Sequence, residues 1–343
     1  MKKILIFFLV STSLCAQKIE TIKFSQSVKS KKHNYKTFEV IDQRTNPEIG
    51  SVTFHKNQVD IKFQNEATQD LQNWFYKDNP TRGEDDLVLL LEKINVSEEK
   101  LEKYSIGKLE VRASTFLKKE DGYYFLSRKD TVTTISSLKT PYLAQSIVKK
   151  LTLSISDLLK NSYRAKSWEF AISKEELPNY TALLKDKLEI LTTENLKDGV
   201  YKDYYSFFTH NPEPGFTIEM NSKGKVKKAV KGTEEIPIRN LYAFVHKGIP
   251  YKVIPIGYVE IFRDELGLFI DVKRQDLYPE ANSSIMVIGG GIGGLVGSLV
   301  GNLAIAAIDA NKAKKRKDVG GTEVSLDPYT GNYILPENFN KSK

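Results

Sequence analysis

The chain has 343 residues and a formal net charge of +8, with 40% of its residues hydrophobic and 27% charged. That balance supports buried cores and excludes a wholly disordered chain. Its one cysteine, Cys15, excludes a disulfide framework within the chain and a metal site built from several cysteines.

At the N-terminus, Lys2 and Lys3 precede the apolar run Ile4 to Val10, and Ser13-Leu14-Cys15-Ala16 puts a small residue before Gln17. Residues 1–16 therefore read as a cleavable secretory signal. A lipid-modified Cys15 is the competing reading, but bulky Leu14 stands where lipoprotein signals carry a small residue. Cleavage after Ala16 removes the cysteine, and with it any thiolate chemistry in the mature protein.

Residues 17–163 predict a mixed α/β module. Strand alternation covers Ile19 to Phe24, Lys36 to Ile41, Ser51 to His55 and Val59 to Phe63, and a helix follows over Ala67 to Tyr76. Leu87 to Val96 reads as a buried strand, Lys108 to Leu117 as another, and Gly122 to Leu126 as the return arm of a hairpin. Pro141 opens a long helix whose Leu143, Ile147, Leu151, Ile155 and Leu158 form one apolar stripe that faces a sheet.

Residues 164–197 are more polar and read as a helical connection. Residues 198–280 predict a β-rich meander, with turns at Asn221 to Gly224, His246 to Pro250 and Arg263 to Gly267 between strand-like runs. The fold class expected from these elements is α+β: two modules, a mixed sheet with packed helices followed by a β meander, and then a glycine-rich hydrophobic helix.

One element of the second module, G-V-Y-K-D-Y-Y-S-F-F-T-H-N-P-E-P from Gly199 to Pro214, resembles uncharacterised exported proteins of Bacteroidota. In those proteins a G-x-Y-x-x-[FY] element precedes a β meander, and L-C-A-Q at the end of the signal is similar too. The resemblance implies export to the cell envelope and no particular activity. The aromatic concentration Tyr201, Tyr204, Tyr205, Phe207 and Phe208 is read as core packing, with a binding platform as the alternative.

The run from Ser283 to Ile308 carries no charge and fits two incompatible readings. Gly289, Gly291 and Gly294 satisfy G-x-G-x-x-G, the dinucleotide-binding loop. That motif needs a second strand after its helix, and the chain continues instead into D-A-N-K-A-K-K-R-K-D. A flavin- or NAD-binding oxidoreductase is thus the remote reading, and no cofactor is assigned. Gly289, Gly293, Gly297 and Gly301 recur every four positions, with Gly290, Gly294 and Ser298 beside them. On a helix these residues make one face of small side chains suited to close helix–helix approach in lipid. Residues 285–308 would extend about 36 Å as a helix, enough to cross a hydrocarbon core of about 30 Å.

This segment is the expected transmembrane helix and self-association surface, giving a homo-oligomer. Lys312, Lys314, Lys315, Arg316 and Lys317 follow as a basic membrane flank. Residues 309–343 are expected as that flank plus a flexible tail, with three topologies open: a single crossing that leaves residues 17 to about 284 outside and the tail inside, binding of the basic cluster to anionic headgroups without a spanning helix, and export of the whole chain with insertion elsewhere. The inner membrane with a periplasmic domain is favoured, and the outer membrane is the alternative.

Catalytic signatures do not emerge. His33, His55, His210 and His246 form no H-E-x-x-H or other close ligand pair, and neither G-x-S-x-G nor a P-loop occurs. Glu84-Asp85-Asp86 lacks the alternating oxygens of a calcium loop. His210 is expected to end a short helix over Tyr204 to Phe208. No catalytic, cofactor or metal residue is assigned, and no nucleic-acid motif is found. The expected protein is a non-enzymatic envelope component that contacts membrane lipid and an envelope protein partner. The alternative is a soluble periplasmic or secreted binding protein with the glycine segment packed internally.

Overall fold

The computed structural model describes residues 18–30, 35–55, 57–81, 83–222, 224–264, 267–279, 321–336 and 339. The described chain is mixed α+β, with several sheets and few helices. It divides into two compact units: residues 1–120 with 128–167, and residues 121–127 with 168–343.

In the first unit, β1 (Lys18–Thr21), β3 (Ser51–Phe54) and β4 (Asn57–Lys62) form a three-stranded sheet, with β4 central and parallel to β1. A four-stranded sheet runs in the order β2 (Tyr35–Asp42), β5 (Asp85–Lys100), β6 (Ser105–Lys119) and β7 (Gly122–Ser136). The β7 strand is shared, because Gly122 to Ser127 belong to the second unit. Leu87, Val88, Leu89, Leu90 and Leu91 are all fully buried, so successive residues of β5 are covered on both faces of the sheet. The predicted stripe of α2 (Leu143–Ser162) is buried throughout, and its Leu143 and Ile147 rest on Gly107 of β6. In α1 (Ala67–Asp78), Phe75 stacks on Phe38 at 4.2 Å and Trp74 stacks on Phe24 at 4.6 Å.

Gly50 bridges to Val96 with a φ of +118°. A Cβ there would lie 2.1 Å from the Val96 carbonyl oxygen, which is backbone and cannot swing away. Gly50→Ala is therefore expected to destabilise the first unit by about 3 kcal/mol, combining left-handed strain with a backbone clash. Denaturant unfolding measures this, and an unshifted midpoint would show that the segment carrying Gly50 relaxes freely.

The second unit begins with α3 (Tyr180–Asp186), α4 (Glu189–Thr192), β8 (Gly199–Tyr201) and α5 (Tyr204–Phe208). A small antiparallel sheet of β9 (Thr217–Met220), β10 (Val226–Lys231) and β11 (Glu234–Pro237) follows. The predicted meander is then present as β12 (Ala243–His246), β13 (Ile249–Ile254), β14 (Gly257–Asp264) and β15 (Gly267–Val272). Lys247 and Gly248 both adopt positive φ at the β12–β13 turn, and their N–H groups donate to the Asp198 carboxylate at 2.8 Å. After α6 (Arg274–Leu277), the chain returns as β16 (Thr322–Leu326) and β17 (Tyr333–Ile334). The large sheet has seven strands in the order β17-β16-β15-β14-β13-β12-β8, and its edges are strands of two and three residues. Such short edges offer little template for pairing with another chain.

Three expectations change. Residues 164–197, expected as a connection, instead supply core to the second unit from Trp168 onward: Trp168, Ile172, Leu177, Tyr180, Leu184 and Leu188 are buried. Their polar spacers sit on short, irregular turns, which hid the apolar set from a periodicity reading. Tyr123 pairs with Ile172, bringing residues 121–127 into that unit as well. The tail is not flexible throughout, because Thr322 to Leu326 pair in register with β15. The glycine segment 285–308 and the basic flank lie outside the described residues.

Candidate functional site

The zipper residues Gly289, Gly293, Gly297, Gly301, Gly290, Gly294 and Ser298 lie outside the described residues, as do Lys312, Lys314, Lys315, Arg316 and Lys317. No helix among the described residues is long and apolar enough to cross a membrane. What the structure fixes is the pair of strands from which this segment departs and to which it returns. The ladder of β15 with β16 runs antiparallel from Leu268↔Leu326 to Val272↔Thr322. The last residue of β15 is thus paired with the first residue of β16.

On the departing arm, Lys273, Arg274 and Gln275 are exposed, and the Arg274 guanidinium lies 5.9 Å from the Tyr278 ring centre. Asp276 accepts a hydrogen bond from the Lys273 N–H at 2.7 Å, closing the first turn of α6. On the returning arm, Gly321 is pressed against Asp271, where a Cβ would sit 1.9 Å from Oδ1. A larger residue there would require the Asp271 carboxylate to shift.

The hairpin of β16 and β17 is firmly seated in the second unit. Val324 and Leu326 are buried, and the Asp327-Pro328-Tyr329-Thr330-Gly331 turn is braced by its own Asp327, which accepts from the Tyr329 N–H and the Thr330 hydroxyl. The Tyr329 hydroxyl donates to the Thr181 carbonyl at 2.8 Å, and the Tyr242 hydroxyl donates to the Gly331 carbonyl at 3.1 Å. Of the topologies open for the tail, a single crossing is the one these bonds oppose. One crossing between β15 and β16 would separate two hydrogen-bonded neighbours.

Beside this hairpin lies a buried amine that the sequence reading missed. Lys252 is 6% exposed, on β13 between β12 and β14. Alternation along the strand sends Tyr251 and Val253 into the cluster of Phe244, Tyr258 and Val226, and sends Lys252 to the opposite face. Its Nζ donates to the Val253 and Tyr242 carbonyls at 2.8 and 3.1 Å and sits 3.9 Å from the Tyr242 ring centre, with Tyr333 at 5.8 Å. Burial pulls its pKa down to about 7. Burial also pushes the Tyr242 and Tyr333 phenols upward, so both stay neutral across the physiological range. The amine's contacts are to backbone carbonyls and ring faces, an arrangement that pins β12, β13 and β17 together. The only signal in the sequence was a lysine at the inward register of a strand.

The linkage sign follows from a folded pKa below the unfolded value of 10.5. Between pH 7 and 10.5 the unfolded chain binds a proton that the folded chain lacks, so stability rises with pH by up to about 1.4 kcal/mol per unit. Lys252→Met is expected to remove this slope and to be the more stable form at pH 7, its advantage shrinking by pH 9.5. Urea unfolding at both pH values checks this, and a constant difference would show that Lys252 keeps its charge when folded.

His210 also proves structural. It follows α5 with a φ of +52°, is 2% exposed, and its Nε2 accepts from the Lys197 N–H at 2.8 Å. Burial, with the Lys197 charge second, lowers its pKa and keeps the accepting nitrogen unprotonated. In the aromatic concentration, Tyr201, Phe207 and Phe208 are fully buried and therefore form core rather than a platform. No group of three or more His, Cys, Asp or Glu side chains among the described residues could hold a metal ion.

No family model matches the sequence, and no curated protein matches it significantly. Among solved structures, a protein of Xanthomonas campestris assigned to DUF330 shares 8% identity, with 43% of this chain and 92% of that one covered at a TM-score of 0.28. A minor lipoprotein of Acinetobacter baumannii shares 10% identity, with 40% and 98% covered at a TM-score of 0.25. At those scores neither likeness carries a conclusion about fold or activity.

Proposed function

We propose that this chain is an exported cell-envelope protein with a non-enzymatic binding or assembly role, attached to a membrane through residues 285–308. The observation that carries the reading is the junction of β15 and β16. Adjacent antiparallel strands are ordinarily joined by a turn of two to five residues. Here they are joined by the whole stretch 273–321, which contains the charge-free run Ser283 to Ile308 and the basic cluster Lys312 to Lys317. The β15–β16 ladder itself does not require so long a connection, which favours a role for the segment beyond joining the two strands. Its composition suits lipid.

The secretory signal and the periplasmic placement of the folded units belong to the same proposal, as does self-association through the glycine rows. Carbonate extraction tests the attachment: retention in the membrane pellet is expected, and release of intact protein would overturn it. For self-association, Gly293→Leu with Gly297→Leu is expected to weaken crosslinked oligomers while leaving the protein in the pellet, because leucine keeps the apolarity and blocks close approach. Unchanged oligomers would remove that role.

A further inference from the structure

We infer that the end of the seven-stranded sheet where β15 finishes and β16 begins lies against a phospholipid bilayer, with the C-terminal hairpin on the same side of the membrane as the rest of the second unit. This deepens the proposed membrane attachment and rests on it. The register leaves little freedom: Val272 faces Thr322, and Gly321 is pressed against Asp271, so both arms of the excursion leave from one end of one sheet. The hairpin beyond is held by the β15–β16 ladder and by the bonds of Tyr329 to Thr181 and Tyr242 to Gly331. It cannot be carried to the far side without stripping a strand from the sheet.

Both ends of the excursion therefore stay on one side, and the number of complete crossings is even or zero. The run from Ser283 to Ile308 is long enough for one crossing of about 20 residues and too short for the two that a return requires. An attachment through this run, as proposed, is then made from the side on which both of its ends lie. The sheet end then becomes the part of the folded unit nearest the lipid.

Its side chains suit that position. Lys273 and Arg274 are exposed at the rim, and Tyr278 beneath the Arg274 guanidinium is of the residue type that settles at headgroup level. Asp276 of the same turn is tied to the Lys273 N–H, and Asp271 is packed under Gly321. Glu323 is the exposed acidic residue on the returning strand.

Cysteine labelling tests the arrangement, since cleavage after Ala16 would leave a background without cysteine. In cells with a permeable outer barrier, a membrane-impermeant maleimide is expected to label Asn332→Cys and Lys227→Cys alike before the inner membrane is opened. Labelling of Asn332→Cys only after opening, with Lys227→Cys labelled before, would overturn the inference while carbonate retention left the attachment standing. Release by carbonate would instead remove the attachment itself, and this inference with it. In vesicles containing doxyl-labelled phosphatidylcholine, a bimane on Gln275→Cys is expected to be quenched at least twofold more than one on Lys227→Cys. Equal or reversed quenching would show that another face meets the bilayer.

Discussion

Replacing residues 281–319 by a short glycine–serine linker is expected to leave the second unit folded while moving the protein from the membrane to the soluble fraction. The paired Cα atoms of Val272 and Thr322 stand about 5 Å apart in such a ladder, and α6 to Pro279 and Gly321 are retained, so a few residues close the gap. Closure entropy favours the shorter loop slightly, by about 0.6 kcal/mol for each halving of its length. The unfolding midpoint should thus be unchanged or marginally raised, which circular dichroism reads alongside fractionation. A variant that loses the β sheet would show that the glycine segment packs within the fold, as the soluble-protein alternative requires. A folded variant that stays in the membrane would place the attachment elsewhere.

Trp168→Ala is expected to cost about 3–5 kcal/mol, a large share of the stability of an ordinary domain. The indole is fully buried, meets the edge of Phe125 at 5.4 Å, and lies 5.4 Å from Tyr205 and 6.4 Å from Tyr329. Its N–H on the main chain donates to the Phe125 carbonyl at 2.9 Å, so the residue ties the β7 segment to the C-terminal hairpin through one cluster. Collapse around the vacancy is opposed because its neighbours are themselves held: Tyr329 by Thr181, and Phe125 by its strand. Hydrogen exchange in β12 to β14 measures the loss within the second unit. A cost below about 1 kcal/mol would return residues 164–197 to the status of a connector, because only a core position carries the full transfer and cavity penalty. For the same reason a fragment beginning at Asp198 should fail to fold, lacking Trp168, Ile172, Leu177, Tyr180, Leu184 and Leu188.

Elements with a strong local pattern were legible in advance. The stripe of α2, the continuous apolar run of β5 and the turns of the meander each carry their own signature, because a repeat of four, an unbroken Leu run and a Gly-bearing turn need no distant partner. Short helices such as α3 and α4 carried none, since four to seven residues are too few to show a period. Lys252 was illegible for another reason. A lysine in a strand is ordinarily a solvated position, and only the arrival of Tyr242 and Tyr333 from elsewhere in the chain makes it a buried one.

The candidate site shows the same division. Composition and spacing are local properties, and they were enough to read two folded regions and a charge-free glycine run in one chain. Strand pairing adds the position of that run: it falls between two strands that are hydrogen-bonded neighbours, rather than between a body and a free tail. Strand pairing across a long excursion depends on register and burial at its two ends. The five residues Thr322 to Leu326 are too few to announce their partner, and β15 supplies it.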